Sequence, residues 1–215
     1  MRHLGIVAAT VAGLLLAAPP AAIAHPHVFV SVSAEVQYDG AGQMSGVKHL
    51  WAFDEMYSAS AVLGLDKDGD GKYSREELQE LAQLNVESLK EFEYFTFMKI
   101  EGDAVAFTDP IDYFVEADDK GLLTLTFTLP AKSPVKHGSL KVDLSIYDPS
   151  FFIAFSFAQK DPVSLASAAP AGCKIAVKRP DQEQANNQLT EDMFAGEATV
   201  DYGESFADTA EIQCQ

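Results

Sequence analysis

Basic residues are scarce in this chain of 215 residues, which carries 15 lysines and arginines against 32 aspartates and glutamates. The formal net charge of −17 repels phosphate backbones, so nucleic acid is excluded as a partner. The same charge raises the local concentration of cations, which agrees with metal handling. Because acidic surfaces also serve solubility, the charge excludes one class of partner without assigning a function.

Cysteine is equally scarce, with Cys173 and Cys214 as the two in the sequence. Their long separation matches neither a Cys-x-x-Cys redox motif nor a cysteine-based metal site. In an oxidising compartment an even pair of cysteines is expected to form a disulfide. We therefore predict a Cys173–Cys214 bridge that ties the C-terminal tail to a strand.

The common catalytic signatures are missing as well. The sequence has no Gly-x-Ser-x-Gly nucleophile elbow, no Walker loop and no glycine-rich dinucleotide loop. Neighbouring acids carry no information here, because so acidic a chain contains many of them. We expect a binding protein and not an enzyme.

Long hydrophobic runs are confined to the N-terminus. Met1-Arg2-His3 is a short positive region, Leu4–Leu16 is apolar but too short to span a bilayer, and Ala22-Ile23-Ala24 has the form of a signal-peptidase site. These features predict a cleavable signal peptide over residues 1–24. They predict that residues 25–215 are exported, with no membrane span, and the leader is typical of a bacterial periplasmic protein.

What the exported part does contain is alternation of apolar and polar residues, the pattern of half-buried strands. Turn signals such as Asp39-Gly40 separate the alternating runs. This pattern predicts a mainly β fold, a single β-sandwich-like domain with an EF-hand-like helix–loop–helix inserted at about residues 53–95. The predicted strands cover residues 28–37, 123–129, 140–146, 151–157 and 173–177, with one more ending at residue 214.

The most specific motif is the acidic loop, which we define as residues 66–77. Its twelve positions match an EF-hand calcium loop, with glycine at the sixth position, where the chain turns sharply. The expected cofactor is Ca²⁺, and a lanthanide ion suits the same oxygen donors. The alternative is an acidic turn that binds no metal. The predicted ligands are Asp66, Asp68, Asp70, the carbonyl of Lys72, Ser74 and Glu77.

Helical spacing flanks the acidic loop on both sides. Ser74 is placed to cap the second helix, with Glu77 completing a capping box three residues later. One glutamate would then serve both the cation and the start of a helix. The residues at helical spacing are Phe53, Met56, Ser60 and Leu63 before the loop, and Leu78, Leu81, Asn85, Leu89 and Phe92 after it.

Histidines offer a second, tentative metal site. Signal-peptide cleavage would leave a free amine on His25, followed by Pro26 and His27, and such nitrogen ligands suit Zn²⁺, Ni²⁺ or Cu²⁺. His49 and His137, each in or beside a predicted strand, could join this site or be ordinary polar residues. A copper oxidase built around His25 is the one enzymatic alternative.

Five segments in order along the chain carry a family resemblance: residues 25–30, 51–58, the acidic loop, 85–89 and 147–152. Together they resemble an uncharacterised family of exported bacterial proteins, catalogued as a domain of unknown function. That family carries the label of a periplasmic component of an ABC-type transport system. The resemblance implies an association with nickel/cobalt-type permeases of the inner membrane, and it implies no catalytic residue.

These observations lead us to expect a periplasmic cation-binding protein that serves as an accessory or solute-binding component of a metal transport system. Its expected partners are a metal ion and an inner-membrane metal permease. A second interpretation is a calcium-stabilised interaction module with no role in transport, in which the acidic loop only fixes the helix pair.

Overall fold

The computed structural model describes residues 26–181, 183 and 202–214, and within them the chain is mainly β, as predicted. Over these residues the strands form two sheets, which α-helices and a 3₁₀ helix accompany. The elements are β1 (Val28–Tyr38), β2 (Met44–Phe53), α1 (Glu55–Ala61), α2 (Arg75–Leu89), the 3₁₀ helix (Lys90–Phe95), β3 (Thr96–Ile100), β4 (Asp103–Ala104), β5 (Ile111–Ala117), β6 (Leu123–Val135), β7 (Val142–Ile146), β8 (Ile153–Phe157), β9 (Val163–Leu165), β10 (Lys174–Lys178), α3 (Tyr202–Phe206) and β11 (Thr209–Gln213).

The first sheet has the strand order β5-β6-β2-β1-β8, with β9 also paired to β1. β1 is antiparallel to β2 but parallel to both β8 and β9. β8 pairs with the first half of β1, from Val28 to Val32, and β9 continues along the same edge from Ala34 to Val36. β1 is therefore held on one side by its neighbour in sequence and on the other by strands from the C-terminal half.

The second sheet has the strand order β10-β11-β7-β3-β4, and its pairs are antiparallel. Cys173 lies just before β10 and Cys214 just after β11, where Lys174 is paired with Gln213. The predicted disulfide between the two cysteines is confirmed. It closes the open end of the β10–β11 pair and so attaches the C-terminal strand to its edge neighbour.

Alternating residues of both sheets bury one shared hydrophobic core. In β1 the predicted inward positions from Val30 to Val36 are buried, and β6 contributes Phe127. The sheets meet at the side chains of His49 in β2 and Thr96 in β3, whose Nε2 and Oγ1 atoms lie 3.4 Å apart. The core therefore forms where the alternation of both sheets faces inward.

The helix pair, α1 and α2, lies between β2 and β3 in sequence and packs beside the first sheet. Asp54 caps α1 by accepting the Tyr57 N–H at 2.9 Å, and its other carboxylate oxygen accepts the Phe29 N–H at 2.7 Å. Leu78, Ala82 and Val86 form the buried face of α2. Asp54 thus fastens the start of the helix pair to the start of β1.

The incoming helix differs from its predicted extent. Phe53 is the last residue of β2, and α1 covers only Glu55–Ala61. Met56 and Leu63, predicted to share one helix face with Phe53, are 78% and 79% exposed, while Ser58 is the buried residue of α1. Its hydroxyl accepts the Leu123 N–H at 3.0 Å, so a polar contact anchors this helix in place of the expected apolar stripe.

Within the described residues, no helix is long and apolar enough to cross a membrane. The predicted signal peptide, residues 1–24, lies outside the described part of the chain.

Candidate metal centre

The acidic loop connects the two helices and brings three carboxylates together. Ligand oxygens of Asp66, Asp68 and Asp70 all lie within 4.8 Å of one another, with Asp66 half-buried and the other two exposed. Among the residues that the structure describes, this is the single group of three or more histidine, cysteine or acidic side chains close enough to share an ion. The placement of aspartates at alternate positions therefore brings their carboxylate oxygens close together.

Backbone N–H groups hold the aspartates in the acidic loop. The two carboxylate oxygens of Asp66 accept the N–H groups of Gly69 at 2.8 Å and Gly71 at 3.1 Å. Asp70 accepts the Lys72 N–H at 2.7 Å. Gly71 has a φ of +78°, a left-handed conformation that suits glycine and that the sixth loop position was expected to need. The loop is thus shaped by hydrogen bonds between its own backbone and its own side chains.

Glu77 joins the two ends of the acidic loop. Its Oε1 accepts the Lys67 N–H at 2.7 Å, and its Oε2 accepts the Ser74 N–H at 2.9 Å and the Ser74 hydroxyl at 2.8 Å. The Ser74 Oγ accepts the Glu77 N–H in return, which completes the predicted capping box. Hydrogen bonds from the Ser74 and Lys67 backbone lower the pKa of Glu77 to about 2. Glu77 therefore stays ionised at neutral pH, although its oxygens are not part of the aspartate group.

The nearest arginine does not neutralise the acidic loop. Arg75 donates to Glu116 through Nε at 2.9 Å and through a terminal nitrogen at 2.5 Å, and its guanidinium lies 3.8 Å from the centre of the Phe114 ring. Both partners belong to β5, the edge strand beside α2. The Arg75 charge is therefore paired with β5 and not with the aspartates, and α2 is anchored to the sheet at its first residue.

The histidines of the tentative second site are placed apart. His25 lies outside the described residues. His27 is exposed just before β1, with its ring 4.8 Å from that of Phe152. His49 pairs with Ala34 across the β1–β2 ladder, and His137 contacts Tyr38 at the end of β1. Since Ala34 is about 23 Å along the strand from residue 27, the structure does not bring His27, His49 and His137 together.

The environments of the two inner histidines are those of core residues. The His49 ring is buried, stacked on Phe127 with ring centres 4.6 Å apart, and burial lowers its pKa to about 3. His137 is buried too, its Nε2 lies 3.0 Å from the Tyr38 hydroxyl, and burial lowers its pKa. Both rings are therefore held neutral inside the fold.

Asp54 is a positioning residue that spacing analysis did not single out. It links β1 to α1, and the Tyr57 hydroxyl one helical turn later donates to Asn85 of α2 at 3.1 Å. These contacts set the relation of the two helices that carry the acidic loop. The available signal was an aspartate directly before a helical run, the usual N-cap position.

Comparison with known proteins places the chain among relatives without an assigned role. The family model described as "Protein of unknown function (DUF1007)" matches residues 10–214. An "Uncharacterized protein" of Haemophilus influenzae is 25% identical over 197 residues, which cover 90% of this chain and 92% of that protein. An "Uncharacterized 15.5 kDa protein in trpE 3'region" of Spirochaeta aurantia is 27% identical over 110 residues, covering 48% of this chain and 73% of that protein.

Proposed function

We propose that this chain, which belongs to the DUF1007 family of proteins of unknown function, is an exported cation-binding protein whose acidic loop binds Ca²⁺. Its role is that of an accessory or solute-binding component of a metal transport system. The observation that carries the proposal is the convergence of the Asp66, Asp68 and Asp70 oxygens within 4.8 Å. Hard cations such as Ca²⁺ select carboxylate, carbonyl and hydroxyl oxygens of this kind.

Binding would use groups that the acidic loop already holds close. The three aspartates supply the first oxygens, and Lys72 supplies the carbonyl at the seventh position. Glu77 completes the shell by exchanging its hydrogen bond to the Lys67 N–H for the ion. Since this exchange offsets part of the gain, and a single loop of this kind is present in the sequence, we expect a dissociation constant on the order of 10⁻⁴ to 10⁻³ M.

Export supports an occupied site of this modest affinity. The N-terminal leader predicts secretion across the inner membrane, and the Cys173–Cys214 disulfide is compatible with an oxidising compartment. Free calcium outside the cytoplasm reaches the range in which extracellular modules bind it. The transport role rests on the family resemblance and on the net charge of −17, which attracts cations.

A second candidate function is favoured by the anchoring of the helix pair. Arg75 ties α2 to β5, and Asp54 ties α1 to β1, so an ion in the acidic loop would stiffen an element that is already fixed at several points. In this alternative the protein is a calcium-stabilised interaction module, and the ion is structural and never transported.

Terbium luminescence tests the cation site directly, because Tyr73 within the acidic loop can sensitise a bound Tb³⁺ ion. We expect saturable emission from the exported protein and its displacement by Ca²⁺. The double variant Asp68→Asn, Asp70→Asn should weaken Tb³⁺ binding at least tenfold. The matched control is Asp118→Asn, which removes an acid from another tight turn, where Asp118 accepts the Lys120 N–H at 2.8 Å. Equal binding by the double variant and the control would contradict the proposal.

Metal uptake separates the transport role from the structural alternative. We expect cells that lack the gene to take up less labelled nickel or cobalt, and we expect the wild-type gene, but not the double variant, to restore uptake. Unchanged uptake in the deleted strain, together with calcium-dependent stabilisation of the purified protein, would favour the interaction module.

A further inference from the structure

An apolar cavity of about 460 Å³ lies between the helix pair and the first sheet. Aromatic rings dominate its wall, where Trp51 and Phe53 of β2 face Tyr57 of α1 and Phe95 at the end of the 3₁₀ helix. The volume is within the range of small-molecule sites, which are mostly apolar with a few placed polar groups.

Trp51 contributes its indole ring to the cavity wall. Phe127 and Phe155 pack edge-on against this ring at 5.0 and 4.8 Å between ring centres, and Trp51 is 1% exposed. Its Nε1–H is enclosed by the surrounding core, so the ring and not this donor forms the surface that a ligand would meet.

No charge in the wall is left for a charged ligand. Asp148 is the single acid that lines the cavity, and no lysine or arginine does so. The Asp148 oxygens accept the Ser150 N–H and hydroxyl, both at 2.8 Å, and the Ile153 N–H at 3.0 Å. Its charge is therefore satisfied within its own turn. An ionic ligand would lose its hydration without gaining a counter-charge.

The backbone beside the cavity is held in an unusual form. Glu93, Tyr94 and Phe95 are consecutive non-glycine residues with φ of +52°, +55° and +49°. Such conformations are costly for residues with a Cβ and persist where the surroundings over-determine them. This turn places Phe92 and Phe95 in the cavity wall, with their rings stacked at 5.2 Å.

We propose that this cavity binds a small, uncharged, largely apolar molecule. The apolar part of the ligand lies against the aromatic wall. The inference goes beyond the cation site, because it uses none of the residues of the acidic loop.

The test uses the exported protein with a chelator present, so that the state of the acidic loop does not enter. The probe is 6-propionyl-2-dimethylaminonaphthalene, an uncharged fluorophore. Trp51 is the one tryptophan of the chain, so transfer of its excitation to the probe reports binding beside it. We expect saturable binding with a blue-shifted probe emission. Absence of saturable binding would overturn the proposal.

A pair of variants on α2 locates the probe. Ser88 lines the cavity, and Ser88→Phe should reduce probe affinity at least tenfold by filling it. Leu84→Phe adds the same ring one turn earlier, at an exposed position that does not line the cavity, and should leave affinity unchanged. Equal affinities of the two variants would overturn the placement.

Matched competitors test the class of ligand. We expect the hydrocarbon 2-ethylnaphthalene to displace the probe at a concentration at least tenfold lower than the anion 2-naphthoate, which has nearly the same shape. Equal or stronger competition by the anion would overturn the uncharged class of ligand.

Discussion

Acid should destabilise this protein through His49, and the size of the effect follows from burial of its ring. Burial lowers the pKa of His49 from 6.5 to about 3 in the folded chain, so the unfolded chain takes up a proton that the folded chain refuses. Between those two pKa values the free energy of unfolding rises with pH, and it falls as the pH drops below 6.5. From pH 7 to pH 5 the loss is about 2 kcal/mol.

Among the described residues, no neighbouring group stabilises a protonated His49 ring. The Thr96 hydroxyl donates to the Tyr94 carbonyl at 2.9 Å, so it can act toward His49 only as an acceptor, at 3.4 Å. His49 Nδ1 has no partner among the described residues, and the ring faces Phe127 and Trp51. No carboxylate of the described chain is hydrogen-bonded to this imidazole, so charging it inside the fold is unfavourable.

Urea unfolding at pH 7, 6 and 5 measures the effect. Wild-type protein should lose about 2 kcal/mol more than His49→Leu over this interval, because the variant has no such proton to take up. His137 adds a loss of the same sign in both proteins, since burial lowers its pKa too, and it cancels in the difference. The control Leu50→Ala, at a 39% exposed position next to His49, should keep the wild-type slope, because it removes no titratable group. Equal losses in wild type and His49→Leu would refute this account of the buried ring.

Three further changes test other contacts by thermal or urea unfolding. Ser74→Ala should lower the free energy of unfolding by about 1 kcal/mol without any cation, because the capping box with Glu77 is lost, whereas Ser74→Thr, which keeps the hydroxyl, should retain most of this stability. A cation-free Ser74→Ala variant as stable as wild type would contradict the cap. Replacing Cys173 and Cys214 by serine should lower the free energy of unfolding by about 4 kcal/mol, because the unfolded chain regains the conformational entropy that the bridge removes. Reductant should destabilise wild type and leave this double variant unaffected. Gly46→Ala should lower the free energy of unfolding by about 1–3 kcal/mol, since a Cβ there would lie 2.6 Å from a carbonyl oxygen of β6. An unchanged midpoint of unfolding would show that β2 and β6 can move apart at this point without loss of stability.

Strand prediction succeeded where a strand has one apolar and one polar face. β1, β6, β7, β8 and β10 were each marked by alternation, and the strand that ends near Cys214 is β11. β2 was not marked, because its inward face contains His49 and its outward face contains Leu50, which is 39% exposed. β3 and β5 were missed too. β3 is short. β5 is an edge strand with few buried residues, and the Arg75 side chain packs against its Phe114 ring. Periodicity cannot find strands whose inward residues are polar or few.

For the candidate site, features set by neighbouring residues in the sequence were predictable, and features set by the tertiary fold were not. Asp66, Asp68 and Asp70 lie within five consecutive residues, so their grouping is a local property of the sequence, while the binding of an ion there stays a prediction. The capping box is local for the same reason. The separation of the histidines along β1, the hydrogen bond from the Lys67 N–H to Glu77 and the cavity at Trp51 depend on tertiary placement, for which the sequence has no short-range pattern.

The parallel pairing of β1 with β8 and β9 constrains the order in which the chain can fold. A growing or translocating chain presents β1 first, yet one edge of that strand stays unpaired until residues 153–165 have emerged. The bridge from Cys173 waits still longer, for Cys214, which follows it by 41 residues. Contacts between residues so distant in sequence slow folding, and they leave the backbone hydrogen-bonding groups along one edge of β1 unpaired in the meantime. Assembly of this fold is therefore expected to finish only after the segment that contains Cys214 has emerged, and a chaperone that shields β1 would raise its yield.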